Sequence, residues 1–331
     1  MGRSQSSGLA FVSLGAPVPP PALGLRVEYS VPDVVDHPSL AIGVCTFRRE
    51  ALDQTLDSIA RQGPGPIRVV VADNDDTPKA EGRIRALGTR LGLDLDYRHA
   101  PSRNISVARN ACLDAAGTDW LLFIDDDEVA EPGWLAAMRR EAVRGRWDVV
   151  LGPVDAVYSD AAPEWMRRGN FHSTRPVVRE GTIDTGYSGN ALIRLAFVRR
   201  HGLRFDPALG RSGGEDLDFF YRLRDAGGRI GFAEDARALE PVPDGRASLR
   251  WLLARTFRAG QSHGARLTRL KPRPVQRLTQ AGLAAGKALV CASGALVTLP
   301  RTTLRNRFIT RGALHLGVMA RVAGLKEIQL Y

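Results

Sequence analysis

Residues 121–134 read LLFIDDDEVAEPGW, four apolar side chains running straight into three aspartates and a glutamate, with a Pro-Gly pair close behind. A short apolar run bounded by polar breakers is the pattern of a parallel strand covered on both faces, and Trp120–Ile124 fits it. The acids then fall at the strand's carboxyl end, the edge at which open α/β sheets bind their ligands. Adjacent carboxylates repel one another unless a cation or a set of donors offsets them, so the stretch suggests a metal. A solvated acidic turn that merely caps a helix beginning near Pro132 would give the same letters, and the rest of the chain has to choose.

From Leu40 onward, apolar runs alternate with helical stretches. LAIGVCTF (40–47), IRVVVADND (67–75) and LDLDYRHA (93–100) read as strands, and residues 50–61, 79–91 and 105–116 as helices. Such alternation with short connections predicts a mainly parallel sheet with helices on both faces. The strand ends carry Thr46 and Arg48, then Asp73, Asn74 and Asp75, then the acids at 125–128, so all converge on one edge. Residues 149–158 read as a further strand, 161–181 as a Pro/Arg/Gly-rich loop of functional length, and GNALIRLAFV (189–198) as a second apolar piece. Gly213-Gly214-Glu215-Asp216 opens a helix that Gly227 would stop, and acids belong in a first helical turn on macrodipole grounds alone.

At 331 residues, with 44% hydrophobic and 25% charged, the chain can build one large domain or two modest ones. Cys45, Cys112 and Cys291 are scattered, without a CxxC pair, which points away from a disulfide framework or zinc site and toward a reducing, cytoplasmic compartment. The net charge of +10 conceals an asymmetry: residues 245–331 hold sixteen Lys or Arg against one acid, Glu327, for +15, leaving residues 1–244 at −5. Sign alone does not choose among nucleic acid, anionic lipid and an acidic substrate as the tail's partner. We expect a flexible lead-in over 1–38 with no secretory signal, a catalytic domain over 39–243, and a basic, partly amphipathic helical extension over 244–331. Residues 288–299 are only twelve uncharged positions, short of the ~20 that span a membrane, so the extension is expected to lie on a bilayer or pack on the main domain.

Taken together, CTFRRE (45–50), VVVADND (69–75), SRNISVARN (102–110), FIDDDE (123–128) and GGEDLDFFYRL (213–223) resemble the family 2 glycosyltransferases. The resemblance covers about residues 40–243 and implies a GT-A fold. LLARTFRAGQSHG (252–264) is similar to transferases of succinoglycan-type exopolysaccharide assembly. The resemblance implies an inverting, metal-dependent hexosyltransferase that moves a sugar from a nucleoside-diphosphate donor, with UDP expected, to a hydroxyl of a saccharide or lipid-linked saccharide. Its setting would be cell-surface polysaccharide synthesis at the inner face of the cytoplasmic membrane; the +15 tail with its apolar Gly/Ala/Leu stretch suits an anionic membrane surface as a further partner, and no nucleic acid is expected.

The chemistry explains the residue types. A departing nucleoside diphosphate develops negative charge, and a hard divalent cation on carboxylate oxygens stabilises it where it appears. The resemblance makes Asp127 the first metal ligand and Asp125 the second, for Mn²⁺ or Mg²⁺, with Asp125 and Asp126 also orienting the ribose. It gives Thr46 and Arg48 to the nucleotide, Asp73 to the base, and Arg109 to base or phosphate with help from Arg103. Asp73 would accept from a uracil N–H; as a plain reading, residues 73–75 are turn formers and the arginines surface cations. Asp216 is the expected general base, with Glu215 binding the acceptor or orienting its loop, and one base facing the leaving group implies inversion. Gly213 and Gly214 would let backbone approach the sugar. Arg250 and Trp251 match part of a Gln-x-x-Arg-Trp motif of processive synthases, but Ala247 replaces the glutamine, which argues against processive synthesis.

Two other readings remain at this level. LLFIDDDEV also satisfies the nucleophile pattern of haloacid-dehalogenase-like phosphatases, although three strands precede it where that motif usually opens its domain. A non-catalytic nucleotide-binding module with a basic tether is the other.

Overall fold

The computed structural model describes residues 38–63, 67–270, 273–326 and 328. Apart from Pro38, the lead-in expected over 1–38 lies outside them.

The first half follows the expected alternation: β1 (Leu40–Thr46), α1 (Leu52–Ala60), β2 (Arg68–Asp73), α2 (Glu81–Leu91), β3 (Asp94–His99), α3 (Ile105–Ala115) and β4 (Trp120–Ile124). All five residues of β4 are buried, as a strand covered on both faces requires. β1 lies parallel between β2 and β4, with Thr46 opposite Asp73 and Gly43 opposite Phe123. This register sets the polar residues after β1, β2 and β4 along one edge. After the acids come β5 (Val129–Ala130), α4 (Trp134–Arg144) and β6 (Val149–Leu151).

Residues 149–158 do not form the single strand expected. β6 stops at Leu151 and β7 (Val154–Val157) starts a different sheet. The reason is at the junction: a Cβ on Gly152 would sit 2.3 Å from the Ala236 carbonyl oxygen, and Pro153 has no N–H to give a ladder. The 161–181 region holds α5 (Glu164–Gly169) and β8 (Val178–Arg179), which hairpins with β9 (Thr182–Ile183). The apolar piece after it divides into β10 (Asn190–Arg194) and α6 (Leu195–Arg200). α7 (Glu215–Asp225), β11 (Ile230–Phe232) and β12 (Ala238–Pro241) come next.

The main sheet has seven strands in the order β11-β6-β10-β4-β1-β2-β3, and a three-stranded sheet runs β5-β12-β7. Parallel pairing dominates, with β10 antiparallel to both neighbours. Because β10 runs backwards, its first residue, Asn190, stands opposite Ile124, bringing Ser188 and Gly189 to the acids. Two apolar layers cover the sheet. One joins α1, α2 and α4 through residues such as Leu56, Ile84 and Trp134, and the other joins α3, α6 and α7 through Cys112, Phe197 and Phe219. This is the α/β, GT-A-type architecture expected.

After a 3-10 turn at Asp244–Arg246, the chain forms α8 (Leu249–Leu270), α9 (Pro274–Val297) and α10 (Thr302–Val322). The described residues belong to one compact unit. α8 and α10 meet through glycines: a Cβ on Gly260 would lie 2.0 Å from the Leu314 carbonyl oxygen, and one on Gly317 1.9 Å from that of Phe257. α10 is fastened to α5, where Thr303 Oγ1 donates to the Trp165 carbonyl at 3.3 Å and Arg307 Nη2 to that of Gly169 at 3.1 Å. All but the last two residues of the apolar run at 288–299 prove to be part of a longer element. Helix α9 continues back through Lys287, Gly286 and Gly282 to a length of 24 residues, long and apolar enough by length and composition to cross a membrane.

Gly317→Leu should therefore push α10 off α8 and cost about 1–3 kcal/mol in chemical unfolding, as overpacking does. Gly286→Ala, on α9 with open space around it, should instead be neutral or gain up to about 1 kcal/mol. Equal effects of the two would show that the α8–α10 approach is not tight.

Candidate active site

The turn after β4 is closed by its own side chain: the Asp125 amide donates to Glu128 Oε2 at 3.2 Å, and the Glu128 amide to the Asp125 carbonyl at 3.1 Å. From the neighbouring strand, Thr46 Oγ1 donates to Asp126 Oδ2 at 2.7 Å. Arg49 reaches over the same turn, with Nη1 3.2 Å from Asp127 Oδ2 and Nε 3.6 Å from Asp126 Oδ1.

A second cation links this turn to α7. Arg109, buried on α3, ion-pairs with Glu215, the first residue of α7, and lies 3.6 Å from Asp125 Oδ1, its guanidinium over the Phe205 ring. Asp216, next along, accepts from the Leu217 amide at 2.7 Å. Glu215 Oε2 and Ser188 Oγ are buried with no hydrogen-bond partner, so the wall holds unused polar capacity.

These groups line one cleft of about 1140 Å³, which takes in Thr46, Arg103, Arg109, the acids at 125–128, Glu215 and Asp216. Arg48 and Asp73 are not among its lining residues. Asp73 is 1% exposed, its carboxylate accepting from the Tyr97 hydroxyl at 2.7 Å and the Asp75 amide at 3.0 Å. Arg48 has a positive φ of 54° and a two-pronged bond to Asp75, which holds that carboxyl down to about 2. Arg103 lines the cleft while paired to Asp76.

Gly213 and Gly214, with φ of 81° and 87°, make a close approach of another kind from the one expected. A Cβ on Gly213 would strike the Arg258 guanidinium at 1.8 Å, and one on Gly214 would come within 2.9 Å of Ser262 Oγ. The glycines admit α8. That helix forms the opposite wall with Arg255, Arg258 and Trp251, the last stacked on His172 at 5.1 Å.

Negative charge is in excess at the cleft floor. Burial, then Asp127, lifts Asp126 to about 7 against the pull of its Thr46 bond. Burial, then Asp125 and Glu240, raises Glu128 well above the carboxylate range. Glu240, on β12, is lifted to about 7 by burial and then by Asp127. Asp125 is raised too, by burial first, but its side chain is 43% exposed to the cleft, where solvent screens the effect. Asp216 is pushed up to about 6 by burial and then Glu215, with Arg109 drawing it back. For Arg109, burial opposes the charge, yet Glu215, Asp125 and Asp216 together raise it.

Among the described residues, no group of three or more His, Cys, Asp or Glu is placed to hold a metal ion. The acids of the β4 turn offer a pair of hard oxygen donors, Asp127 and Asp125. That set suits a cation which takes one or two carboxylates and completes its shell with water and substrate phosphate. Four participants are not evident from sequence. Arg49 adjoins the expected Arg48, Glu128 closes the acidic run without a role of its own, and Ser188 and Glu240 give no signal, since their positions come from β10 and β12.

Comparison with known proteins agrees with the fold. The family model "Glycosyl transferase family 2" matches residues 41–202. Succinoglycan biosynthesis protein ExoM of Rhizobium meliloti (strain 1021) is 46% identical over 293 residues, 88% of this chain and 94% of that protein. The crystal structure of S. aureus TarS 1–349 in complex with UDP superposes with a TM-score of 0.51 at 19% identity, covering 87% of this chain and 93% of that one. GalNAc-T7 with UDP, GalNAc and Mn²⁺ gives 0.50 at 14% identity, covering 63% and 45%. The protein is a glycosyltransferase with a GT-A fold. It belongs to glycosyltransferase family 2, and its similarity to ExoM places it with the succinoglycan-type members; the phosphatase and non-catalytic readings fall away.

Removing Arg109 would leave Glu215 and Asp125 without their shared cation. Arg109→Met should destabilise the fold by about 3–5 kcal/mol in urea unfolding, with Arg109→Lys recovering part of it. A cost below about 1 kcal/mol would mean that the acids are compensated elsewhere.

Proposed function

We propose that this protein is an inverting, metal-dependent transferase. It moves a hexose from a UDP-sugar to a hydroxyl of a saccharide or lipid-linked saccharide in cell-surface polysaccharide synthesis, on the cytoplasmic side of the membrane. Residues 39–243 are its catalytic domain, and the extension at 244–331 completes the cleft. The observation that carries the reading is the meeting of two acid sets from distant sequence, the β4 turn and the start of α7, on either side of Arg109 in one cleft. Names of relatives support the details: ExoM is a succinoglycan biosynthesis protein, TarS was solved with UDP and with UDP-GlcNAc, and GalNAc-T7 with Mn²⁺.

In this reading Asp127 and Asp125 hold Mn²⁺ or Mg²⁺, which when bound offsets the charge that develops on the departing diphosphate. Thr46 fixes Asp126, and Asp126 with Asp125 orients the ribose. Arg109 is already engaged by Glu215 and Asp125, so it positions the acids at the phosphate side. Arg103, in the cleft lining, serves the nucleotide; Arg48, between the lining residues Phe47 and Arg49, serves it too, and Asp73, next to the lining residue Asn74, the base. Asp216 takes the proton of the attacking hydroxyl, with its carboxyl poised near neutrality as a base needs. Glu215 orients the acceptor with its unpartnered Oε2. One base opposite one leaving group gives in-line displacement and inversion.

The metal assignment is checked with Asp127→Ala, which should lose transfer and bind UDP more weakly in the presence of Mn²⁺, while the parent enzyme stops on chelation. Chelator-resistant activity in the variant would falsify the assignment.

The base assignment has a pH signature. A carboxyl raised to about 6 is protonated below that value and free above it, so kcat should climb as pH rises through about 6 and then level. Asp216→Asn should retain UDP affinity and lose ~10² to 10⁴ in kcat. If Glu215→Gln proves inactive and Asp216→Asn does not, the two roles are exchanged.

A further inference from the structure

Helices α8, α9 and α10 contain no acidic residue. α9 buries one edge, Ala284 and Cys291, and runs antiparallel along α10, with Cys291 facing Gly312 and Gly294 facing the Phe308 ring. Its opposite side is bare. Val275, Leu278, Leu289, Val290, Leu296 and Val297 are each 68–82% exposed, and at about 100° per residue they fall within about a third of the helix circumference. No charged residue lies in that arc. Exposed basic residues stand near it along the helix: Arg273 just before the first turn, Arg277 on the other side of that turn, Lys287 about 60° beyond one edge of the arc, and Arg301 past the far end. The apolar side chains stand in two groups along about 33 Å of this face, Val275 with Leu278 and Leu289 through Val297, with Thr279, Gly282 and Gly286 between them; with cations nearby, they suit a layer of acyl chains beneath anionic headgroups.

We propose that the outward face of α9 docks the enzyme on an anionic phospholipid bilayer, with the helix lying along the headgroup layer rather than crossing it. Length and composition alone would allow α9 to cross, yet it is held along α10, which is locked to α8 by Gly260 and Gly317 and to α5 by Thr303 and Arg307. Crossing would tear α9 from that support. A core helix would hide this face, whereas only 11% of its most apolar window is buried. The surface lies outside the cleft, since no α9 residue lines it. It adds a partner to the transferase reading and does not depend on the donor chemistry.

The test is sedimentation of the full chain with phosphatidylcholine vesicles, with and without phosphatidylglycerol. Truncation is unsuitable because α10 supports the cleft wall; point variants on exposed positions are used instead. The parent should bind the anionic vesicles and not the neutral ones. Leu289→Asp with Leu296→Asp, and separately Arg273→Glu with Arg277→Glu, should each lower binding at least about tenfold. Both variants should keep the parent's melting temperature and UDP affinity. Undiminished binding by the Leu variant would overturn the proposal, as would a parent dimer that those substitutions dissolve, since a second copy would then be the occupant. Absence of UDP binding in the parent would count against the transferase reading and leave the vesicle result to stand or fall by itself.

Discussion

The ion pair between Arg109 and Glu215, with Asp125 beside it, is the constraint on which the cleft depends. Two carboxylates from α7 and the β4 turn would separate without a shared cation, and in a buried setting the cost of an unpaired charge is large. The rest of α3 is bolted down to keep that arginine in place. Asn110 exchanges two hydrogen bonds with the backbone of Phe205, and Asn104 and Ser106 bind the carbonyls of Pro207 and Asp206. The segment so held leads directly into Gly213, Gly214 and the acids of α7, so one helix sets both the cation and the loop that delivers its partner.

The raised carboxyls arise from the same crowding. Asp125, Asp126, Glu128 and Glu240 share one floor, and the arginines that reach it divide along it, Arg109 toward Asp125, Arg49 toward Asp126 and Asp127, and Arg246 toward Glu240. No one of these arginines satisfies the whole group, and burial prevails at Asp126 and, against the pull of Arg255 and Arg246, at Glu240. Arg49, 41% exposed at its side chain, is less constrained than Arg109. In the proposed reading, a divalent ion on Asp127 would contend with Arg49 for the same carboxylate, and donor binding would then be coupled to movement of Arg49.

Much of this was legible in the sequence because the strands that build the donor edge are buried on both faces. β1, β2 and β4 show as unbroken apolar runs, and their ends have to be polar where they meet a ligand. The misses have local causes. The break at Gly152 comes from Ala236, remote in sequence and visible only once β12 returns beside β7. Arg48 and Arg49 are chemically identical, and the left-handed turn at Arg48 decides which of them reaches the acids. Ser188 and Glu240 reach the cleft through the antiparallel entry of β10 and the second sheet, neither of which leaves a motif.

The basic tail shows why net charge is a poor guide to a partner until it is divided by surface. A helix's polar face reads the same whether it meets water, a binding site or another helix. Of the arginines on α8, Arg255 and Arg258 face the cleft, whereas Arg266 and Arg269 pair with Asp225 and Asp218 on α7. Part of the +15 is therefore engaged inside the enzyme, closing the wall that the β4 acids and α7 leave open. Exposed basic residues also stand around α9, near an apolar arc that the cleft does not use. If α9 docks as proposed, the same stretch of sequence would supply two separate functions from two faces, and it could do so because the glycines of α8 and α10 let those helices pack closely between them.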